Sequence, residues 1–132
     1  MTDKAIGAGE TTRREVMGDE FVDRALTQVT PLTEPLQEWI NGHAWGSVWQ
    51  RDQLSRKERS LVTVAMLVAL RAETELKGHL RGALNNGCTP EELREVLLQS
   101  TVYCGAPAAQ EAFRAAAEIL TPLLHGDEPA VS

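Results

Sequence analysis

The stretch "SLVTVAMLVAL", residues 60 to 70, limits the fold of this chain more than any other. Only Ser60 and Thr63 are polar in it, and they share one face. A helix that is apolar all round is buried on every side. Ser55-Arg56-Lys57-Glu58, just ahead, is a capping-box pattern in which a hydroxyl and a carboxylate satisfy each other's backbone N–H groups and start a helix. In a chain this small, such a helix is either the centre of a bundle or an element covered in an oligomer. It is too short to span a bilayer, which needs about 20 residues.

The remaining chain supplies helices to surround it. Val16, Met17, Phe21, Val22, Ala25 and Leu26 are spaced for two short helical pieces broken at Gly18, with Asp19 as an N-cap. Thr30-Pro31 marks the next start. Leu36, Trp39, Ile40 and His43 keep helical spacing, with a bend at Gly42 and Gly46. After the apolar helix, a helix from Glu73 to Asn86 stops at Asn-Asn-Gly. Thr89-Pro90-Glu91-Glu92 combines a cap, a proline at the first helical position and a Glu at the third. It opens a helix to about Cys104, with Leu93, Val96, Leu97 and Val102 inward. Gly105 and Pro107 punctuate, and an Ala-rich helix from about Ala108 to Leu124 ends the ordered chain. No alternating run reads as a strand. The expectation is an all-α fold, a compact bundle of five to six helices with short connections. It predicts one domain over 11–124, a flexible N-terminus at 1–10 and a flexible tail at 125–132.

A net charge of −6 disfavours nucleic acid and anionic membranes as partners, because phosphate binding needs clustered Lys and Arg. An anionic substrate would need a local cationic pocket against that field. Cys88 and Cys104 form no C-x-x-C pair and lack zinc-ligand spacing with His, so no metal site is expected. Two such thiols fit a reducing compartment. The start "MTDKAIGAGE" lacks the apolar run of a signal peptide, which predicts a cytoplasmic protein.

The chemistry concentrates in "ETELKGHLRGALNNG", residues 73 to 87. Leu76, Leu80, Ala83 and Leu84 form an apolar stripe, His79 lies at its edge and Glu75 just beyond. Four residues apart on a helix, Glu75 and His79 can meet. An anionic carboxylate favours the charged imidazole and would make His79 a usable general acid. Spacing alone describes a solvated surface pair just as well, worth well under about 1 kcal/mol, and that is the commoner use of such a pair. Arg51, Arg59 and Arg81 are candidate carboxylate clamps, since Arg forks match carboxylates bidentately. Trp39, Trp45, Trp49 and Tyr103 are candidate pocket walls. His43 and His125 have no evident partner.

"RREVMGDEFVDRA", "AWGSVW", "HLRGALNNGCTPEELREVLL" and "VYCGAPAA" together resemble the carboxymuconolactone decarboxylase family, in that family's order and over roughly Gly9 to Leu120. The resemblance implies an alkylhydroperoxidase-like helical fold that assembles as a homo-oligomer, a trimer or hexamer. The wider superfamily often carries a Glu, then C-x-x-C, then a His. The matching positions here are Ser60, Ala72 and Glu75, and His79. The peroxidase dithiol is therefore absent, which excludes thiol–disulfide reduction. The implied reaction is cofactor-independent decarboxylation of a lactone carboxylate in aromatic catabolism. In it His79 donates the proton, Glu75 tunes it, one or more of Arg51, Arg59 and Arg81 hold a carboxylate, and Ser60, Trp45 and Tyr103 line the pocket. His43, Ser47, Gln110 and Ile6 depart from the family's usual residues, which motivates a second reading, a related lyase or isomerase acting on another lactone or β-keto-type acid. A third reading is a non-catalytic oligomeric helical protein.

Overall fold

Reciprocal caps fix the helix starts that the sequence marks. The Ser55 N–H donates to Glu58 Oε1 at 2.8 Å, and the Glu58 N–H donates to Ser55 Oγ at 3.1 Å. Thr89 and Glu92 repeat the exchange at 2.8 and 3.0 Å. Each box satisfies N–H groups that a first helical turn leaves without partners. These contacts come from a computed structural model that describes residues 2–124. Among them the regular elements are helical and no strand forms: α1 (Asp3–Met17), α2 (Asp19–Thr27), α3 (Glu34–Trp39), a π-helical turn (Ile40–Trp45), a 3-10 turn (Val48–Gln50), α4 (Arg56–Leu70), α5 (Glu73–Asn85), α6 (Pro90–Tyr103) and α7 (Ala106–Leu124). The all-α class agrees with the sequence reading. The chain divides into two compact units, Met1–Arg59 and Ser60–Ser132. The expected tail at 125–132, His125 included, lies outside the described residues.

In the first unit, two glycines let backbones touch. A Cβ on Gly9 would fall on the carbonyl oxygen of Asn41, and one on Gly46 would fall on that of Ala5. α1 therefore lies directly against the π-helical turn, as no larger residue would allow. Thr2 caps α1 by accepting the Ala5 N–H at 3.1 Å, and the helix begins at Asp3. Gly18, at φ 91°, separates α1 from α2 and itself takes the cap position, while Asp19 is the first helical residue. Val16, Met17, Val22 and Trp45 form this unit's core, with Trp49 stacked on Trp45 at 4.7 Å between ring centroids. Gln50 Nε2 ties the 3-10 turn down by donating to Thr12 Oγ1 at 2.6 Å and to the Trp45 carbonyl at 3.0 Å.

The second unit is built on Val64 and Val68 of α4, Leu76 and Leu80 of α5, Leu93 and Leu97 of α6, and the alanine face of α7. α4 and α5 end alike. Ala72 N–H bonds to Leu67 O and Arg71 N–H to Val68 O; Cys88 N–H bonds to Ala83 O and Gly87 N–H to Leu84 O. This closure requires a left-handed residue, supplied by Gly87 at φ 93° and by Arg71 at φ 57°. Lys77 Nζ meets Glu118 Oε1 at 3.0 Å, tying α5 to α7.

Burial settles one expectation and corrects another. α4 is not the covered centre of a single chain, the first of the two placements expected for it: Val62, Met66 and Leu70 face outward, Leu70 with 74% of its surface exposed, which leaves cover in an oligomer. Val102, expected inward, is equally exposed at 74%. The buried stripe of α6 passes through Leu93, Leu97 and Ser100, so the helical period turns Val102 outward, beside exposed Leu98 and Tyr103.

Candidate active site

α5 sets the chemistry of the second unit. Leu76, Leu80 and Ala83 are buried, and His79 is half-buried at the edge of their stripe, as the spacing predicts. Glu75 lies one turn earlier and is exposed. Asn86 follows His79 by seven residues, which returns it to nearly the same azimuth on a helix of 3.6 residues per turn. From there its side-chain amide donates to Ser60 Oγ at 2.9 Å, and Ser60 is only 1% exposed. One flank of α5 therefore carries an imidazole and, two turns on, an amide that holds a buried hydroxyl. The sequence reading names His79, Glu75 and Ser60 but misses Asn86, because an Asn before a Gly at a helix end reads as a terminator.

Tyr103 is 80% exposed. With Leu61, Ala65, Val96 and Cys104 it lines an apolar cavity of about 370 Å³ between α4 and α6. Cys104 is half-buried. Arg81 lies exposed on α5.

The other named residues belong to the first unit. Arg51 lines a polar cleft of about 240 Å³ with Trp49, Gln50, Ser55 and Arg56. Arg59 Nη2 donates to the Arg51 carbonyl at 3.0 Å, and Arg56 is paired with Glu15 at 2.6 Å. Trp45 is core, 5% exposed. His43 is exposed and packs its ring on Trp39 at 4.8 Å.

A residue that the sequence reading did not single out is Arg13. It is 7% exposed, and its Nη1 donates to Gln37 Oε1 at 3.0 Å and to Asn41 Oδ1 at 3.1 Å. Burial pushes the guanidinium below its ordinary pKa, against the opposing field of Glu10. Sequence cannot announce this burial, which comes from the close approach of α1 to the π-helical turn at Gly9. Among the described residues no three His, Cys, Asp or Glu side chains gather as a metal-binding group. None of the described helices is long and apolar enough to cross a membrane.

The fold and the α5 arrangement define an all-helical protein with an imidazole set at the edge of a helix-packed core. Residues 34–118, more than half of the chain, match the carboxymuconolactone decarboxylase family, and the chain belongs to it. It is 43% identical over 115 residues to 4-carboxymuconolactone decarboxylase of Acinetobacter baylyi, covering 87% of this chain and 86% of that protein. It is 49% identical over 104 residues to nitrosuccinic acid decarboxylase of Metarhizium robertsii, covering 79% of this chain and 73% of that protein.

Proposed function

We infer that the protein is a carboxy-lyase that decarboxylates 4-carboxymuconolactone to the β-ketoadipate enol-lactone. The observation that carries the reading is the similarity to 4-carboxymuconolactone decarboxylase over 86% of that protein's length. The substrate supplies its own electron sink. As the C–CO2 bond breaks, its electron pair passes through the conjugated double bond into the lactone carbonyl and forms a dienolate. A proton delivered to the ring carbon completes the reaction.

His79 is assigned as the proton donor, reloaded from water after each turnover, with Glu75 as its carboxylate partner. Support for His79 is its half-buried position at the edge of the buried stripe of Leu76, Leu80 and Ala83. Arg51, Arg59 and Arg81 are the candidates for holding the substrate's second carboxylate, and Arg51 has a cleft to do it in. Tyr103 is the proposed lining residue on α6, whereas Trp45, expected to line the pocket, is taken up by the first unit's core. Ser60, the other proposed lining residue, is 1% exposed and accepts from the Asn86 amide at 2.9 Å. The apolar faces of Val62, Met66 and Leu70 on α4 and of Val102 and Tyr103 on α6 support assembly as a homo-oligomer, a trimer or hexamer, which would bury them.

A second reading is favoured by the 49% identity to a nitrosuccinic acid decarboxylase. Nitrosuccinic acid also carries two carboxyl groups and its own sink, since a nitro group can take the electron pair as a nitronate. The two readings separate on one assay. Purified protein is given each acid in turn, with carbon dioxide release and ultraviolet absorbance followed in time. The lactone is expected to be consumed with the higher kcat/KM. Preference for nitrosuccinic acid would establish the second reading, and turnover of neither acid would overturn both.

A further inference from the structure

The two edges of α4 face different neighbours. Leu61 and Ala65 line the cavity against α6. Ser60 lies on the opposite edge and takes the Asn86 amide of the α5 flank at 2.9 Å. Thr63 and Leu67 continue that edge, one and two turns on. The flanks of α5 divide in the same way: Lys77 turns to Glu118 of α7, and the flank that carries His79 and Asn86 turns to α4. Two pairs set the register. Leu67 and Leu76 line one small hollow near the connection of the two helices, and Ser60 meets Asn86 at the far end. Between these pairs, Thr63 comes within about two residues, roughly 3 Å of helical rise, of the level of His79. Both side chains are half-buried. From Ser60 to Leu70 only Ser60 and Thr63 are polar, and Ser60 is engaged by Asn86. Thr63 is then the hydroxyl that α4 offers at the level of the imidazole.

We propose that Thr63 is a positioning residue for His79: its hydroxyl oxygen accepts one imidazole N–H and turns the other ring nitrogen toward the reacting carbon. That the ring then delivers a proton rests on the function proposed above. Within a helix a threonine hydroxyl donates to a carbonyl three or four residues back, which leaves its oxygen lone pairs to accept. A neutral imidazole carries one N–H, and the bond made by one nitrogen decides which nitrogen keeps it. With Thr63 holding the same N–H in both charge states, the proton that leaves and returns is confined to the other nitrogen. Glu75, exposed one turn before His79, contributes charge; Thr63 contributes direction.

The test uses the whole chain with ring-15N-labelled histidine, the His79 nitrogens being assigned by their loss in His79→Gln. Thr63→Val keeps the shape of the side chain and removes the hydroxyl; Thr63→Ser keeps the hydroxyl. Circular dichroism checks both for unchanged helix content, and Thr63→Ala replaces the Val variant should that content fall. In alkaline buffer, where the ring is neutral, wild type is expected to show one tautomer, Thr63→Val a mixture of both, and Thr63→Ser the wild-type spectrum. In parallel, kcat for 4-carboxymuconolactone is expected to fall about tenfold in Thr63→Val with KM within about threefold, and to return in Thr63→Ser. His79 nitrogen shifts that stay in place in Thr63→Val overturn the proposal. Shifts that move equally in the Val and Ser variants overturn it too, by assigning the effect to packing, as does a Thr63→Val protein with wild-type kcat. Shifts moved by Val and restored by Ser, in a protein that turns over no lactone, would keep the positioning and remove the decarboxylase reading. Unmoved shifts in a protein that does turn it over would do the reverse.

Discussion

Asn86 holds Ser60: the amide at the end of α5 donates at 2.9 Å to a hydroxyl that is 1% exposed on α4. Removing the donor leaves a buried oxygen without this partner. Asn86→Ala is expected to cost about 1–3 kcal/mol in denaturant unfolding. Ser60→Ala in the same background should recover part of that loss, since the stranded hydroxyl is then gone. A double-mutant cycle with no coupling between the two positions would contradict the arrangement.

Gly9 is where α1 meets the π-helical turn backbone to backbone. Gly9→Val puts side-chain atoms on the Asn41 carbonyl, which belongs to backbone and cannot rotate away. The expected loss is at least about 3 kcal/mol, at the upper end of overpacking. Gly7, with open space around it, should accept Ala with little change. Melting temperatures of the two variants, measured together, check the contrast.

Glu58 gives the fold a pH dependence of known sign. Hydrogen bonds from the Ser55 backbone and hydroxyl hold its carboxyl below the ordinary value of 4.5. The folded chain thus favours the ionised form more than the unfolded chain does. The stabilisation is complete above about pH 4.5 and drains away as pH falls through the lower folded value. Wild type and Glu58→Gln should melt apart near neutrality and converge in acid. A constant gap between them down to pH 3 would contradict the cap's role.

These cases mark what the sequence could and could not tell. Ser55 with Glu58 and Thr89 with Glu92 were legible because a cap is a local arrangement of side chain and neighbouring backbone. The stripe that sets His79 at a boundary was legible for the same reason, since helical period needs no knowledge of the partner helix. Burial was harder. Val62, Met66 and Leu70 read as covered either by the bundle or by an oligomer, because apolar character does not say what covers a residue. Arg13 was not singled out, because a charged residue gives no sign of burial unless a tertiary approach, here the one at Gly9, encloses it. The π-helical turn was anticipated only as a bend at Gly42 and Gly46.

The exposed apolar faces of α4 and α6 carry a prediction about assembly. Met66→Glu and Val102→Glu, at 60% and 74% exposure, leave the described core untouched. Light scattering on a size-exclusion column should find the wild type as a trimer or hexamer and the double variant as a smaller species with unchanged helix content. A wild type that elutes as a monomer would contradict the proposal.

Glu75→Gln should slow decarboxylation by about tenfold or more while leaving the fold intact, because Glu75 is exposed and supports no core contact. Its readout is kcat for the lactone, with circular dichroism as the control.

The measurement that bears most directly on the account is the ultraviolet-monitored turnover of 4-carboxymuconolactone by His79→Gln beside wild type, with both confirmed folded. Loss of the proton donor should lower kcat by about 10²- to 10⁴-fold, the usual contribution of a positioned general acid. A His79→Gln protein that consumes the lactone within a few-fold of the wild-type rate would remove the imidazole from the mechanism, and with it the central claim.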